Sequence, residues 1–231
     1  MSLATNLQNV KSQILAHAQT AGIDPDRVRL IAVSKTVDSQ KIRKMHALGQ
    51  SDFGENRPQA LRDKARELAD LQIRWHFIGQ LQTNKIKYVY PVAALVHSVD
   101  RRELLEEFIA WHQRTGRKCP LLLQVHISRE SAKQGFACEE ILDIVREYSQ
   151  SPHLDMRGMM GMAPLDGDDQ AAAQCFRELA GLLASSRALA GQAWNPIELS
   201  MGMSGDFHVA IAEGATMVRI GTALFAEESS A

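Results

Sequence analysis

With 231 residues, 45% of them hydrophobic, the chain can bury one substantial core, at a size where α/β barrels commonly fold as single domains. Its 26 basic and 27 acidic residues leave a formal charge of −1, so no electrostatic reason exists to expect nucleic acid or a membrane surface as a partner. The amino-terminal MSLATNLQNVKSQILAHA lacks the basic-then-apolar order of a secretory signal, and no apolar run is long enough to span a bilayer. Cys119, Cys138 and Cys175 are few, odd in number and far apart, which suits reduced thiols, and a cytoplasmic location is expected. No metal site is legible, because none of His46, His76, His97, His126 and His208 has a helical partner at metal-ligand spacing.

The first predicted element is a helix, marked by Leu3, Leu7, Val10, Ile14 and Ala18 at intervals of three and four. After it, strands are predicted near 30–33, 51–54, 74–78, 94–98, 121–127, 154–159, 197–200 and 217–220. Several are almost continuously apolar, as in Pro120-Leu121-Leu122-Leu123-Gln124-Val125, the pattern of strands covered on both faces. Helix signals lie between them. Asp100 with Glu103 three positions on reads as a capping box ahead of Leu104, Leu105 and Phe108. Farther on, Ala172, Phe176, Leu179 and Leu183 share a helical face behind the acidic turn Asp168-Asp169. No linker composition divides the chain, so residues 1–231 read as one domain. Eight strands alternating with helices predict a (β/α)8 barrel, with a doubly wound open sheet as the alternative.

In either architecture, function collects at the carboxyl ends of the strands. The first strand leads to Lys35 in LIAVSKT. A primary amine there is a candidate for attack on a carbonyl, a chemistry that needs partial desolvation, although most lysines are merely solvated. The second strand leads to Gly54-Glu55-Asn56. The loops after the seventh and eighth strands carry Gly202, Ser204, Gly205, Gly221 and Thr222, small and hydroxyl residues that suit a phosphate and equally suit ordinary turns. A helix beginning near Ser204 would aim its amino-terminal dipole at the same place. Arg219 interrupts the apolar strand Met217-Val218-Arg219-Ile220, where a charge needs an explanation: the plain one is an ion pair with a barrel carboxylate or an outward-facing strand position, the other a hydrogen bond to the ring nitrogen of a bound pyridine. His76 reads as a hydrogen-bonded barrel residue, Lys85 and Lys87 as a solvated face, and Met159, Met160, Met162, Met201 and Met203 as core filling.

Taken together, AVSKT (32–36), FGEN (53–56), WHFIGQLQTNK (75–85), HSVDR (97–101), RGMMGM (157–162), LSMGMS (199–204) and VRIGTALF (218–225) resemble the YggS-type pyridoxal-phosphate homeostasis family. The resemblance covers nearly the whole chain in order. It implies a single barrel of the alanine-racemase type holding pyridoxal 5′-phosphate, with Lys35 as the internal aldimine lysine and Arg219 as the partner of the pyridine nitrogen. It also implies that Ser204, Gly221 and Thr222 hold the phosphate, and that Asn56 and Met201 line the ring pocket. Two positions depart from the family pattern: Arg57-Pro58 where an aromatic residue usually follows FGEN, and Gly205 where an acidic residue is more usual.

Three functions compete. An amino-acid racemase needs a second acid/base, in that family a tyrosine from an additional domain. The eleven residues after Ile220 are expected to leave no room for one, and Tyr88, Tyr90 and Tyr148 sit in no motif suggesting a catalytic phenol. A class I aldolase-like barrel would use the lysine and the phosphate loops but leaves Arg219 unexplained. The preferred reading is a non-catalytic carrier or buffer of the cofactor that serves vitamin B6 and amino-acid balance. Pyridoxal-phosphate-dependent apo-enzymes are its expected transient partners, and a monomer is the expected state.

Overall fold

In chain order the elements are α1 (Leu3–Thr20), β1 (Arg29–Val33), α2 (Ser39–Ala47), β2 (Asp52–Glu55), α3 (Pro58–Glu67), β3 (Arg74–Phe77), α4 (Ile86–Val89), β4 (Leu95–Val99) and α5 (Arg102–Thr115). They continue as β5 (Leu121–His126), β6 (Phe136–Ala137), α6 (Ile141–Tyr148), β7 (Met156–Met160), α7 (Asp169–Ser186), β8 (Trp194–Ser200), α8 (Phe207–Ala212), β9 (Met217–Ile220) and α9 (Thr222–Phe225). This computed structural model describes residues 2–128, 134–164 and 166–226.

Eight of the strands pair in parallel around a closed ring, β1–β2–β3–β4–β5–β7–β8–β9 and back to β1. The predicted (β/α)8 barrel is therefore the observed fold, and the open sheet is excluded by the β4–β5 and β1–β9 pairings. The two-residue β6 is an addition to the prediction. It pairs with the carboxyl end of β5 through Val125 and His126, and is too short to leave a periodic signal.

Alternation within the strands separates two apolar regions. Ile31, Leu95, Leu122, Met160 and Met217 form a cluster of their own, and Leu95, Leu122 and Met217 each lie two positions before a buried polar residue on the same strand face, His97, Gln124 and Arg219. This face is the barrel lumen. The opposite faces pack against the helices in a larger cluster that includes Phe53, Phe77, Phe108, Phe176 and Trp194. Removing such side chains from water is the main source of stability, about 1.5–3 kcal/mol for each fully buried large apolar residue.

Helix starts follow local chemistry, with one correction. Ser2 accepts the Thr5 N–H ahead of α1, and Asp168 accepts the Ala171 N–H at 2.8 Å ahead of α7, as its sequence suggested. Asp100, however, does not cap α5. Arg101 is the capping position, and the Asp100 carboxylate accepts from the Arg101 guanidinium at 2.5 Å instead. Arg57-Pro58 has a structural reason: Arg57 is extended, and Pro58 takes the first position of α3, where a missing N–H costs nothing. α1 also braces the far end of the chain, since Asn6 Nδ2 donates to the carbonyls of Leu224 and Ala226 at 3.2 and 3.1 Å.

Candidate functional site

A cavity of about 740 Å³ opens at the carboxyl ends of the strands, within the volume range of small-molecule sites. Of the seven residues expected at the site, Lys35, Asn56, Ser204, Arg219, Gly221 and Thr222 line it. Met201 does not. It is wholly buried in the core behind the wall, as an inward-packed residue immediately after β8. Met159 and Met160 are core residues as expected, whereas Met162 and Met203 lie beyond the strand ends and line the cavity.

Lys35 differs from its expected setting. β1 ends at Val33, the buried position after it is Ser34, and Lys35 falls in the following turn, where its side chain is exposed to the cavity rather than desolvated in a strand. Its ammonium makes no ion pair with any described residue. What is buried is the support beneath it. Glu55, 0% exposed, accepts from the Ser34 hydroxyl and from Lys64 Nζ, each at 2.7 Å, and Lys64 Nζ also donates to the Ser34 carbonyl at 2.8 Å. An ion pair on α3 and β2 thus pins the residue preceding Lys35.

Asn56 presents the clearest unsatisfied group. Its Oδ1 is buried without a hydrogen-bond partner among the described residues, a costly condition for an amide oxygen. The loop after the third strand closes on the Asn56 backbone: a Cβ on Gly79 would sit 2.0 Å from the Asn56 main-chain carbonyl oxygen, so only glycine fits there.

Arg219 points into the lumen and pairs with no carboxylate among the described residues, which removes the simpler of its two readings. Nη1 donates to Ser200 Oγ at 2.7 Å and Nη2 to the Gly161 carbonyl at 3.1 Å. Burial brings its pKa down to about 10, opposed by the charge of Asp206, so the guanidinium stays protonated at neutral pH. With two of five N–H groups engaged, others remain for the cavity it lines.

Ser204, Gly221 and Thr222 do converge from the loops after β8 and β9. The dipole expectation is corrected. α8 starts at Phe207, three residues later than predicted, and has only six residues. The intervening Asp206 accepts the Met203 N–H at 2.5 Å and closes the turn. Gly202 makes that turn possible with φ +86°, and a Cβ there would lie 2.5 Å from Ala210 Cβ. The anion-binding capacity therefore rests on hydroxyls and loop N–H groups, with Lys35 and Arg219 as the cations. The carboxylates on the wall are engaged elsewhere: Asp168 at the α7 cap and Asp169 with His208 at 3.0 Å.

The sequence reading passed over the polar lumen that supports this wall. His76 is hydrogen-bonded in the barrel as expected, and its partners are His97 at 2.9 Å and Asp52 at 3.0 Å. Their signal was available as polar residues at alternate positions of otherwise apolar strands.

The family model for the alanine racemase N-terminal domain matches residues 5–229. The chain belongs to this family. A relative from Pseudomonas aeruginosa named "Pyridoxal phosphate homeostasis protein" is 41% identical over 226 residues, covering 97% of this chain and 95% of the relative. Among solved structures, PipY of Synechococcus elongatus without PLP is 35% identical with a TM-score of 0.87, and PipY with PLP bound is 34% identical with a TM-score of 0.85. Each comparison covers 97% of this chain and 100% of PipY. The expected resemblance and the barrel are thereby both borne out.

Proposed function

We propose that this chain binds pyridoxal 5′-phosphate in the strand-end cavity and serves vitamin B6 and amino-acid homeostasis by holding the cofactor rather than by converting amino acids. The name of the Pseudomonas relative and the PLP-bound PipY support the binding role. The observation on which the assignment stands is the convergence on one cavity of the primary amine of Lys35, the buried cation Arg219 and Asn56 Oδ1, the amine without an ion pair and the oxygen without a hydrogen bond among the described residues. This donor set fits the cofactor: an amine for an aldehyde, hydroxyls and loop N–H groups for a phosphate, and a fixed donor for a ring nitrogen.

When bound, the cofactor supplies an aldehyde that a primary amine can hold covalently. Lys35 is the residue for that bond, and the Glu55–Lys64 pair fixes the turn that carries it. Ser204 and Thr222 offer hydroxyls, with Gly221 between strand and helix, for the phosphate. Arg219 would be the donor for the ring nitrogen and, keeping its own proton, would leave that nitrogen unprotonated and the ring a weaker electron sink. Asn56 would border the ring.

The non-catalytic part of the reading has separate support. No tyrosine or histidine lines the cavity among the described residues. Tyr90 donates its hydroxyl to the Arg117 carbonyl and Tyr148 to Glu106, both away from the cavity, and Tyr88 lies beside Arg62 on the outer surface. The described wall residues that could act as the second base of a racemase are carboxylates, and each has another partner: Asp168 the Ala171 N–H, Asp169 His208 and Asp206 the Met203 N–H. The chain, as one domain over 1–231, is proposed to act as a cytoplasmic monomer that passes cofactor to apo-enzymes. No described helix is long and apolar enough to cross a membrane.

Adding pyridoxal phosphate to the purified protein should produce a visible absorption band that Lys35→Ala lacks. A wild type that is colourless once unbound cofactor has been removed overturns the binding assignment. Lys35-dependent turnover in racemase, transaminase or decarboxylase assays over a panel of amino acids overturns the carrier reading alone.

A further inference from the structure

Five side chains from five strands form one continuous hydrogen-bond chain through the barrel. Asp52 Oδ1 lies 3.0 Å from His76 Nε2, His76 Nδ1 lies 2.9 Å from His97 Nε2, His97 Nδ1 lies 2.8 Å from Ser200 Oγ, and Ser200 Oγ lies 2.7 Å from Arg219 Nη1. Every member is 4% exposed or less. The chain crosses the lumen between β4 and β8 and ends at the cavity wall. Its other end reaches water through Arg74, which holds Asp52 with Nε at 2.8 Å and Nη2 at 2.5 Å and whose side chain is 59% exposed.

Donor counting gives this chain one direction. Asp52, ionised against Arg74, can only accept, so His76 Nε2 must carry the hydrogen. Burial, the largest influence on both rings, disfavours their charged forms; at His76 the Asp52 carboxylate opposes it, the neighbouring cations add to it on both rings, and the net shift of each is downward. A neutral His76 then has a bare Nδ1, which requires the hydrogen of His97 on Nε2. His97 Nδ1 is bare in turn and requires the Ser200 hydroxyl to donate to it. Ser200 has no second hydrogen, so it accepts from Arg219. The order from guanidinium to carboxylate has no break, and each link forces the next.

We propose that Asp52, His76, His97 and Ser200 are a one-way relay of positioning residues that fixes the guanidinium of Arg219 toward the cavity and couples it to the Asp52–Arg74 ion pair at the opposite face of the barrel. Loss of a link frees Ser200 or Arg219 to reorient, and the donor presented to a bound ring changes without any change in the residues that touch it. This effect on a ligand rests on the cofactor assignment above, but the relay itself does not.

The test therefore has two arms. In the unliganded protein, ¹⁵N NMR should show His76 and His97 both neutral, each with a pyrrole-like Nε2–H and a pyridine-like Nδ1, from pH 6 to pH 8. A charged ring or an Nδ1–H tautomer in that range overturns the relay. In the cofactor-loaded protein, Ser200→Ala and Asp52→Asn should move the visible band and weaken retention by about tenfold, the value of one hydrogen bond to a charged group. Arg74→Met, an exposed change that leaves the lumen packed, should move the band in the same direction. His97→Gln can still accept and donate in line, and should keep the wild-type band. Unmoved bands in Ser200→Ala, Asp52→Asn and Arg74→Met overturn the coupling. A wild type without a band refutes the cofactor assignment instead, and the tautomers then decide the relay on their own.

Discussion

Lys64→Met tests whether the lysine turn is built on a buried ion pair. Lys64 reaches from α3 to two acceptors, Glu55 Oε1 at 2.7 Å and the Ser34 carbonyl at 2.8 Å, with its side chain 15% exposed and that of Glu55 at 0%. Methionine preserves the apolar stem and removes only the ammonium. Glu55 is then left with the Ser34 hydroxyl as its one donor, since its Oε2 has no partner among the described residues. Removing one member of a buried pair costs about 3–5 kcal/mol, and the partial exposure of Lys64 places this case near about 3 kcal/mol. For a chain of this length that corresponds to a fall of about 6–12 °C in Tm. Urea denaturation measures the loss, and adding Glu55→Gln should recover part of it because the uncompensated charge is gone. Cofactor retention should also fall although Lys35 is intact, because Ser34 loses the bond at its carbonyl. A single variant within about 1 kcal/mol of wild type, or a double variant no better than the single, refutes the reasoning.

Gly79→Ala should destabilise by about 1–3 kcal/mol, because its Cβ would meet the Asn56 main-chain carbonyl oxygen at 2.0 Å, and should weaken cofactor binding; a wild-type melting curve removes the close approach. Thr222→Ala should lower cofactor affinity by about tenfold through one lost hydrogen bond to the phosphate, and an unchanged titration excludes Thr222 from the site. Stability should fall between pH 7 and pH 5. His76 and His97 have folded pKa values below the ordinary 6.5, chiefly through burial, with Asp52, Arg74, Arg29 and Arg219 as their charged neighbours. Below 6.5 the unfolded chain therefore binds protons that the folded chain does not, and stability decreases as pH falls, by about 2 kcal/mol at pH 5 for each ring that stays neutral. A flat profile in urea denaturation contradicts this, and His97→Gln should remove one histidine's share.

The barrel was legible because buried parallel strands write themselves as apolar runs, and Lys35, Asn56, Ser204, Arg219, Gly221 and Thr222 all follow or interrupt such runs. Where the reading failed, the deciding contacts were not local. Lys35 was expected to be desolvated, yet the buried post-strand position belongs to Ser34, through a partner twenty-one residues away on β2. Asp100 carries a capping signature, but its neighbour's guanidinium competes for the carboxylate. Met201, Met162 and Met203 are equivalent as residue types, and only the exact end of each strand sorts core from cavity wall. The lumen relay joins residues separated by 21, 24 and 103 positions, so no window of sequence contains it. Closure of the sheet creates it.

The central claim is that Lys35 holds pyridoxal phosphate in the strand-end cavity. Borohydride reduction of the cofactor-loaded protein, followed by peptide mass mapping, tests it most directly. The account predicts one phosphopyridoxyl group on the peptide carrying Lys35 and none in Lys35→Ala. Labelling of a different lysine with Lys35 unmodified, or no stable label at all, would contradict it.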